Sequence, residues 1–62
     1  MTWAELERKL KRETKFRHTG ERSGHSEWTN IETGKTITLG RHKSQEIKSK
    51  TLHTILKEVG LK

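Results

Sequence analysis

The strongest constraint on the fold is a helical stripe of apolar side chains near the end of the printed sequence. The stripe follows the i, i+3, i+4, i+7 spacing of one helix face and consists of Leu52, Ile55, Leu56 and Val59. Ser49 is the predicted N-cap of this helix, and Gly60 followed by Leu61 predicts its end. A helix with one apolar face needs a second layer against which to bury it.

A first helix is predicted at the beginning of the sequence, over about residues 3–13. Thr2 and Glu5 form a capping box, in which the threonine oxygen accepts an amide hydrogen of the first turn and the glutamate reaches back to the cap. A narrow apolar stripe follows, made of Trp3, Leu6 and Leu10. The charged segment 8–12 is expected to be a solvated helix face, with phosphate contact as the open alternative.

Between the helices the pattern changes to short alternations that predict three strands, around residues 15–18, 26–31 and 35–39. Residues 20–24 read as a polar connection, and residues 32–35 as a hairpin turn in which Gly34 can adopt a positive φ. The element order predicts one α+β domain over residues 1–62, in which both helices cover one face of a three-stranded antiparallel sheet. This α-β-β-β-α layering is that of double-stranded-RNA-binding domains.

The second predicted strand raises the question of which sheet face Trp28 and His25 occupy. Alternation places Trp28 on one face and His25, with Glu27, on the other. We assign Trp28 to the core, because tryptophan buries much apolar surface and so small a domain has few large residues. His25 then lies on the open face. The alternative is that Trp28 is exposed and stacks on a nucleobase.

Composition indicates the class of partner. A net charge of +6 on 62 residues favours a polyanion, although an acidic protein would satisfy the same charge. No cysteine is present, which excludes disulfides and thiol nucleophiles. The sequence has no apolar run long enough for a signal peptide or a membrane span, so no membrane association and a cytoplasmic location are expected.

Several short motifs, in a fixed order, make the chain resemble the HicA family of small bacterial toxins. They are Gly24-His25 before Trp28, Thr36-Ile37-Thr38-Leu39, Arg41-His42, Glu46-Ile47, Thr51-Leu52, Ile55-Leu56 and Gly60-Leu61. The resemblance covers most of residues 22–62 and, more loosely, the first helix. It implies a toxin ribonuclease (an mRNA interferase) that cleaves mRNA without metal or cofactor. It also implies inhibition by a HicB-type antitoxin, with a higher-order toxin–antitoxin complex as one form of that partnership.

The family's catalytic histidine corresponds to His25. Metal-free RNA cleavage requires proton removal from a ribose 2′-OH, charge stabilisation at the phosphoryl group and protonation of the leaving oxygen, and histidine titrates in the range suited to such transfers. Arg22, Arg41, His42 and Lys43 are predicted to bind RNA. Glu27 is a candidate to orient the imidazole, and His42 is a lower-ranked second proton-transfer group.

Two other functional classes are compatible with parts of this pattern. A metal enzyme is disfavoured, because the cysteine pair that would complete a deaminase-like zinc site is missing and the four histidines lie 7, 17 and 11 residues apart. A non-catalytic RNA-binding module of the same fold remains the alternative function. Incubation with RNA in the presence of EDTA distinguishes that module from a metal-independent nuclease.

Overall fold

The computed structural model describes residues 1–61; the predicted domain also includes Lys62, which lies outside the described residues. Two helices flank three strands, in the order α1 (Trp3–Glu13), β1 (Phe16–Arg22), β2 (His25–Asn30), β3 (Thr36–Leu39) and α2 (Ser49–Glu58). The strands form an antiparallel sheet in the order β1-β2-β3. The predicted α+β class and element order are confirmed. None of the helices found in residues 1–61 is long and apolar enough to cross a membrane.

Helix α1 begins as its capping box predicts. The Thr2 hydroxyl accepts a hydrogen bond from the Glu5 backbone N–H at 3.3 Å, and the Glu5 carboxylate accepts one from the Thr2 backbone N–H at 2.7 Å. That second bond is the main reason why the pKa of Glu5 lies below its usual value. The two reciprocal bonds satisfy amide donors that a helix start otherwise leaves unpaired.

The predicted connection over residues 20–24 is wrong, because β1 continues through most of it. Arg22 pairs with His25, which leaves a two-residue turn of Ser23 (φ 50°) and Gly24 (φ 80°). Two consecutive left-handed residues match the twist of the flanking strands, as in type I′ hairpins. The register shifts between His18 and Gly20, which marks a β-bulge at Thr19. Apolar alternation predicted the beginning of β1 but not its continuation over residues 19–22, because those residues are polar or glycine.

The hydrophobic core lies on the Trp28 face of the sheet. Trp28 is 1% exposed, so its assignment to the core face is confirmed. The other buried members of the cluster are Leu6, Leu10, Phe16, Leu39 and Ile47. Apolar residues of both helices pack against it. The opposite face is polar and carries linked threonine hydroxyls, with Thr29 at 2.9 Å from Thr19 and 3.3 Å from Thr36.

The N-cap of helix α2 lies one residue before the predicted cap. Lys48 is the N-cap, without a side-chain hydrogen bond to the helix, and its carbonyl accepts the Leu52 N–H at 2.9 Å. The prediction of Ser49 as the cap is therefore wrong, because the first intrahelical bond already begins at Lys48. The predicted stop is confirmed, since the Leu61 N–H bonds to the Leu56 carbonyl at 2.9 Å beyond Gly60.

Residues 40–48 connect β3 to α2 and are fastened to the beginning of α1. The Ile47 N–H donates to the Met1 carbonyl at 2.9 Å, and the Trp3 N–H donates to the Gln45 carbonyl at 3.3 Å. Ile47 is buried in the core, although most of this segment is polar and exposed. These contacts hold the segment in one position between α1 and α2.

Candidate active-site cleft

An open cleft of about 870 Å³ lies where the start of β2, the segment 40–48 and the first turn of α2 meet. We refer to it as the cleft. The side chains that give it chemical character are Trp3, His25, Arg41, His42, Gln45 and Lys48. The fold therefore brings together three of the five predicted site residues, namely His25, Arg41 and His42.

His25 is the first residue of β2, and its exposed imidazole is oriented by the preceding turn. Its Nδ1 lies 3.2 Å from the Ser23 carbonyl oxygen. Because a carbonyl oxygen can only accept a hydrogen bond, the proton of the neutral ring belongs on Nδ1. Nε2 is then the nitrogen with a lone pair. This arrangement leaves Nε2 chemically suited to accept a proton and, once protonated, to donate it.

The same turn also locates a permanent positive charge near His25. A Cβ atom added to Gly24 would lie 3.5 Å from Nη1 of Arg41, so the guanidinium packs directly against the turn. Ser23 occupies the left-handed region without being glycine, a conformation that costs free energy and is often found at functional sites. The hairpin turn thus positions both the imidazole and the guanidinium.

The charges around the cleft are not balanced within the described part of the chain. Neither Arg41 nor Lys48 has a carboxylate within 4.0 Å in residues 1–61, whereas Glu46 lies 2.7 Å from the Met1 ammonium group. The hydrogen bond that the Met1 ammonium group donates to Glu46 is the main reason why the pKa of this ammonium group is raised. Since Glu46 is the acidic residue of the cleft lining and is already paired, the cleft retains a positive character that favours anions.

Arg22 and Lys43, the other two predicted RNA-binding residues, lie elsewhere. The Arg22 Nε is 3.8 Å from Glu27, on a neighbouring depression beside Thr36. Lys43 forms an ion pair with Glu7 of α1. Glu27 was a candidate to orient His25, but its carboxylate faces Arg22, and the contact to the imidazole is made by the Ser23 carbonyl instead.

Sequence reasoning missed three members of the cleft. Trp3 was assigned to the apolar stripe of α1, and Gln45 and Lys48 were not distinguished from the rest of their polar segment. No signal in the sequence marked Lys48, because Ser49 was the predicted cap. Only the structure places this lysine at the N-cap, where a positive charge beside the positive end of the helix dipole is unfavourable unless an anion is nearby. In residues 1–61 no group of three or more His, Cys, Asp or Glu side chains is arranged to hold a metal ion.

Comparison with known proteins identifies the family. A family model described as the HicA toxin of bacterial toxin–antitoxin systems matches residues 3–61, which is nearly the whole chain. No curated protein and no solved structure gives a significant match. The matched region includes both helices, all three strands and every residue of the cleft named above. The chain therefore belongs to the HicA family, the toxin component of bacterial toxin–antitoxin systems, and has an antitoxin as its partner.

Proposed function

We propose that this toxin is a metal-independent endoribonuclease that cleaves mRNA, with His25 as its catalytic residue. The observation that carries the proposal is the Nδ1 contact of His25 with the Ser23 carbonyl, which leaves Nε2 available in a positively charged cleft. A ribose 2′-OH supplies an internal nucleophile, so the chain needs to move protons and stabilise charge, which its own residues can do. The proposed site of action is the cytoplasm, where mRNA is translated.

In the proposed reaction, Nε2 of His25 removes the proton of the 2′-OH. The 2′ oxygen forms a bond to the adjacent phosphorus, and the bond from phosphorus to the 5′ oxygen breaks. The protonated imidazole then supplies a proton to the departing oxygen. The products are a 2′,3′-cyclic phosphate and a free 5′-OH, so no water is consumed in this step. Arg41 is the residue proposed to stabilise the added negative charge on the phosphoryl oxygens.

RNA binding is proposed to rest on Arg41, His42 and Lys48, which share the cleft. Lys43 is engaged by Glu7, and we expect its contribution to be smaller. Arg22 borders the open sheet face, so it would contact RNA only where the RNA chain extends beyond the cleft.

The test is cleavage of an end-labelled mRNA by the purified protein in EDTA. We expect cleavage with 2′,3′-cyclic phosphate ends, and a loss of about 10²- to 10⁴-fold in rate for both His25→Ala and His25→Gln. The matched control is His53→Ala, which removes an exposed histidine of α2 outside the cleft lining. His42→Ala should weaken binding more than it slows the bound reaction. Binding of RNA without any cleavage would favour the non-catalytic RNA-binding module, and full activity of His25→Ala would refute the catalytic assignment.

We propose that a HicB-type antitoxin inhibits the toxin by covering His25 and the cationic residues around it. The exposed imidazole and uncompensated positive charge of the cleft suit an acidic contact surface, for which association should be fast and salt-sensitive. Hydrogen exchange with and without the antitoxin should show new protection over residues 22–30. Full inhibition with no protection there would mean that the antitoxin acts elsewhere, for example on residues 41–48.

A further inference from the structure

The cleft contains two chemically different regions. One is cationic and contains His25, Arg41 and Lys48, and the other is apolar and contains Trp3 and Ile47. A nucleotide has the same two-part character, since an anionic phosphate and a flat aromatic base are joined through a sugar. Ile47 is buried in the core, whereas Trp3 packs against the core and is only partly buried, so Trp3 is the apolar residue that can also contact a ligand.

Trp3 is held in a defined place at the apolar side. Its indole lies against the backbone of Gly40, where an added Cβ would be 2.5 Å from Cε2 and 2.6 Å from Nε1. Its backbone N–H is bonded to the Gln45 carbonyl at 3.3 Å, which ties the backbones of these two cleft residues together. Trp3 is only partly buried, whereas Trp28 is 1% exposed. Part of the indole therefore faces the cleft and remains available to a ligand.

Gln45 supplies hydrogen-bonding groups at the same place. Its side chain is exposed, and no hydrogen bond to its amide is found within residues 1–61. A side-chain amide offers both donors and an acceptor, which is the combination that reads the edge of a base. Aromatic contact with a base and an amide at its edge are the usual elements of single-stranded RNA recognition.

We propose that Trp3 and Gln45 form a nucleobase subsite, occupied by the base of a nucleotide adjoining the phosphate bound at His25 and Arg41. This inference rests on the proposed RNA substrate and adds a residue pair that selects which base is held at the cleavage site. Trp3 provides the packing surface, and Gln45 contacts the base edge. The subsite would give this small toxin a base preference at one position of the RNA.

The test uses single-stranded RNA in which 2′-deoxy sugars replace the ribose at the cut site, so that the RNA cannot be cleaved. A series of such RNAs lacks one base at a time. Affinities are measured from the polarisation of a fluorophore attached to the RNA, which does not depend on tryptophan. Contact with Trp3 is followed separately by tryptophan fluorescence in a Trp28→Phe background, where Trp3 is the single tryptophan. Trp28 Nε1 has no hydrogen-bond partner in the described chain, so this replacement removes no hydrogen bond. Inorganic polyphosphate serves as the charge-only ligand.

We expect intact RNA, but not polyphosphate, to change Trp3 fluorescence. Removal of the base at one position should weaken binding about 5- to 150-fold, which is the range for one base–aromatic contact. Trp3→Leu should weaken binding of intact RNA by a similar factor and abolish the penalty at that position. Gln45→Ala, a change at an exposed side chain that is unlinked to the core, should reduce the penalty and change the base preferred there.

The outcomes separate this inference from the proposed ribonuclease. One outcome is that ordinary RNA is cleaved, but removal of a base weakens binding equally at every position, both in the wild type and in Gln45→Ala. That outcome would overturn the subsite alone. A position-specific penalty without cleavage of ordinary RNA would support the subsite and refute the ribonuclease. Absence of RNA binding, with polyphosphate still bound, would overturn both. Because the base-removal series and Gln45→Ala leave Trp3 intact, the result does not depend on the folding of Trp3→Leu.

Discussion

The contact between Gly40 and Trp3 leads to a quantitative prediction for Gly40→Ala. The new Cβ would lie 2.5 Å from Trp3 Cε2, whereas ordinary contact begins near 3.4 Å, so the ring or the backbone must shift by about 0.9 Å. Overpacking of this kind costs about 1–3 kcal/mol, partly offset by the lower entropy of the unfolded alanine chain, about 0.4–1 kcal/mol. A net loss of about 1–2 kcal/mol lowers Tm by about 4–16 °C in a domain of this size.

The matched control is the same substitution at Gly20 in β1. A Cβ there would be 3.9 Å from the Glu27 carboxylate, which is ordinary contact. We expect Gly20→Ala to change the free energy of unfolding by no more than about 0.5 kcal/mol. Both variants are compared by thermal unfolding and urea titration, followed by circular dichroism. In a Trp28→Phe background, the fluorescence of Trp3 should also shift in Gly40→Ala, because the ring is displaced, and should stay unchanged in Gly20→Ala.

Equal stability of the two alanine variants would refute the reasoning, because the clash at Trp3 is the feature that distinguishes them. A double-mutant cycle gives an independent check. In a Trp3→Ala background, Gly40→Ala should lose most of its cost, with a coupling energy of at least about 0.5 kcal/mol. Zero coupling would mean that Gly40→Ala acts through another part of the segment that follows β3.

Two further predictions concern charge. Hydrogen bonds from Thr2 lower the pKa of Glu5, and those from Lys9 and Arg12 lower the pKa of Glu13; both folded values thus lie below the usual 4.5. The unfolded chain binds more protons at acidic pH, so this contribution to stability is present above pH 4.5 and is lost as the pH falls through the folded values. Urea titrations from pH 6 to 3 should show a smaller loss for Glu13→Gln than for the wild type, and identical losses would contradict the prediction. The second prediction concerns the slope of the logarithm of the RNA-binding constant against the logarithm of salt concentration. Arg41→Ala should reduce this slope by about 0.7, the value for one single-strand phosphate contact, and Lys43→Ala should reduce it less. Equal reductions would mean that both cations contact the RNA.

The sequence by itself determined the features that depend on local periodicity and capping. The capping box at Thr2 predicted the start of α1, because its reciprocal bonds join residues three apart. The glycine stop at Gly60 was equally local. The core position of Trp28 followed from alternation and from the large surface that an indole buries. The family resemblance was also contained in the order of short motifs, and the family match over residues 3–61 confirms it.

Only the tertiary structure decided how β1 ends and what surrounds His25. The bulge at Thr19 and the turn at Ser23 depend on pairing with β2, which apolar spacing cannot indicate in a strand with polar residues on both faces. Because of this turn, the backbone carbonyl of Ser23, rather than the Glu27 carboxylate, contacts the His25 imidazole.

The composition of the cleft depends on contacts between distant parts of the chain. Met1 and Glu46 are 45 residues apart, yet their ion pair neutralises the carboxylate of the cleft lining. Lys43 was indistinguishable from Arg41 in sequence, because both are cations in one polar segment. In the structure, Lys43 forms an ion pair with Glu7 of α1, whereas the Arg41 guanidinium packs against the turn at Gly24. Charge and spacing along a chain cannot specify such partners, since each is set by the position of a second element in space.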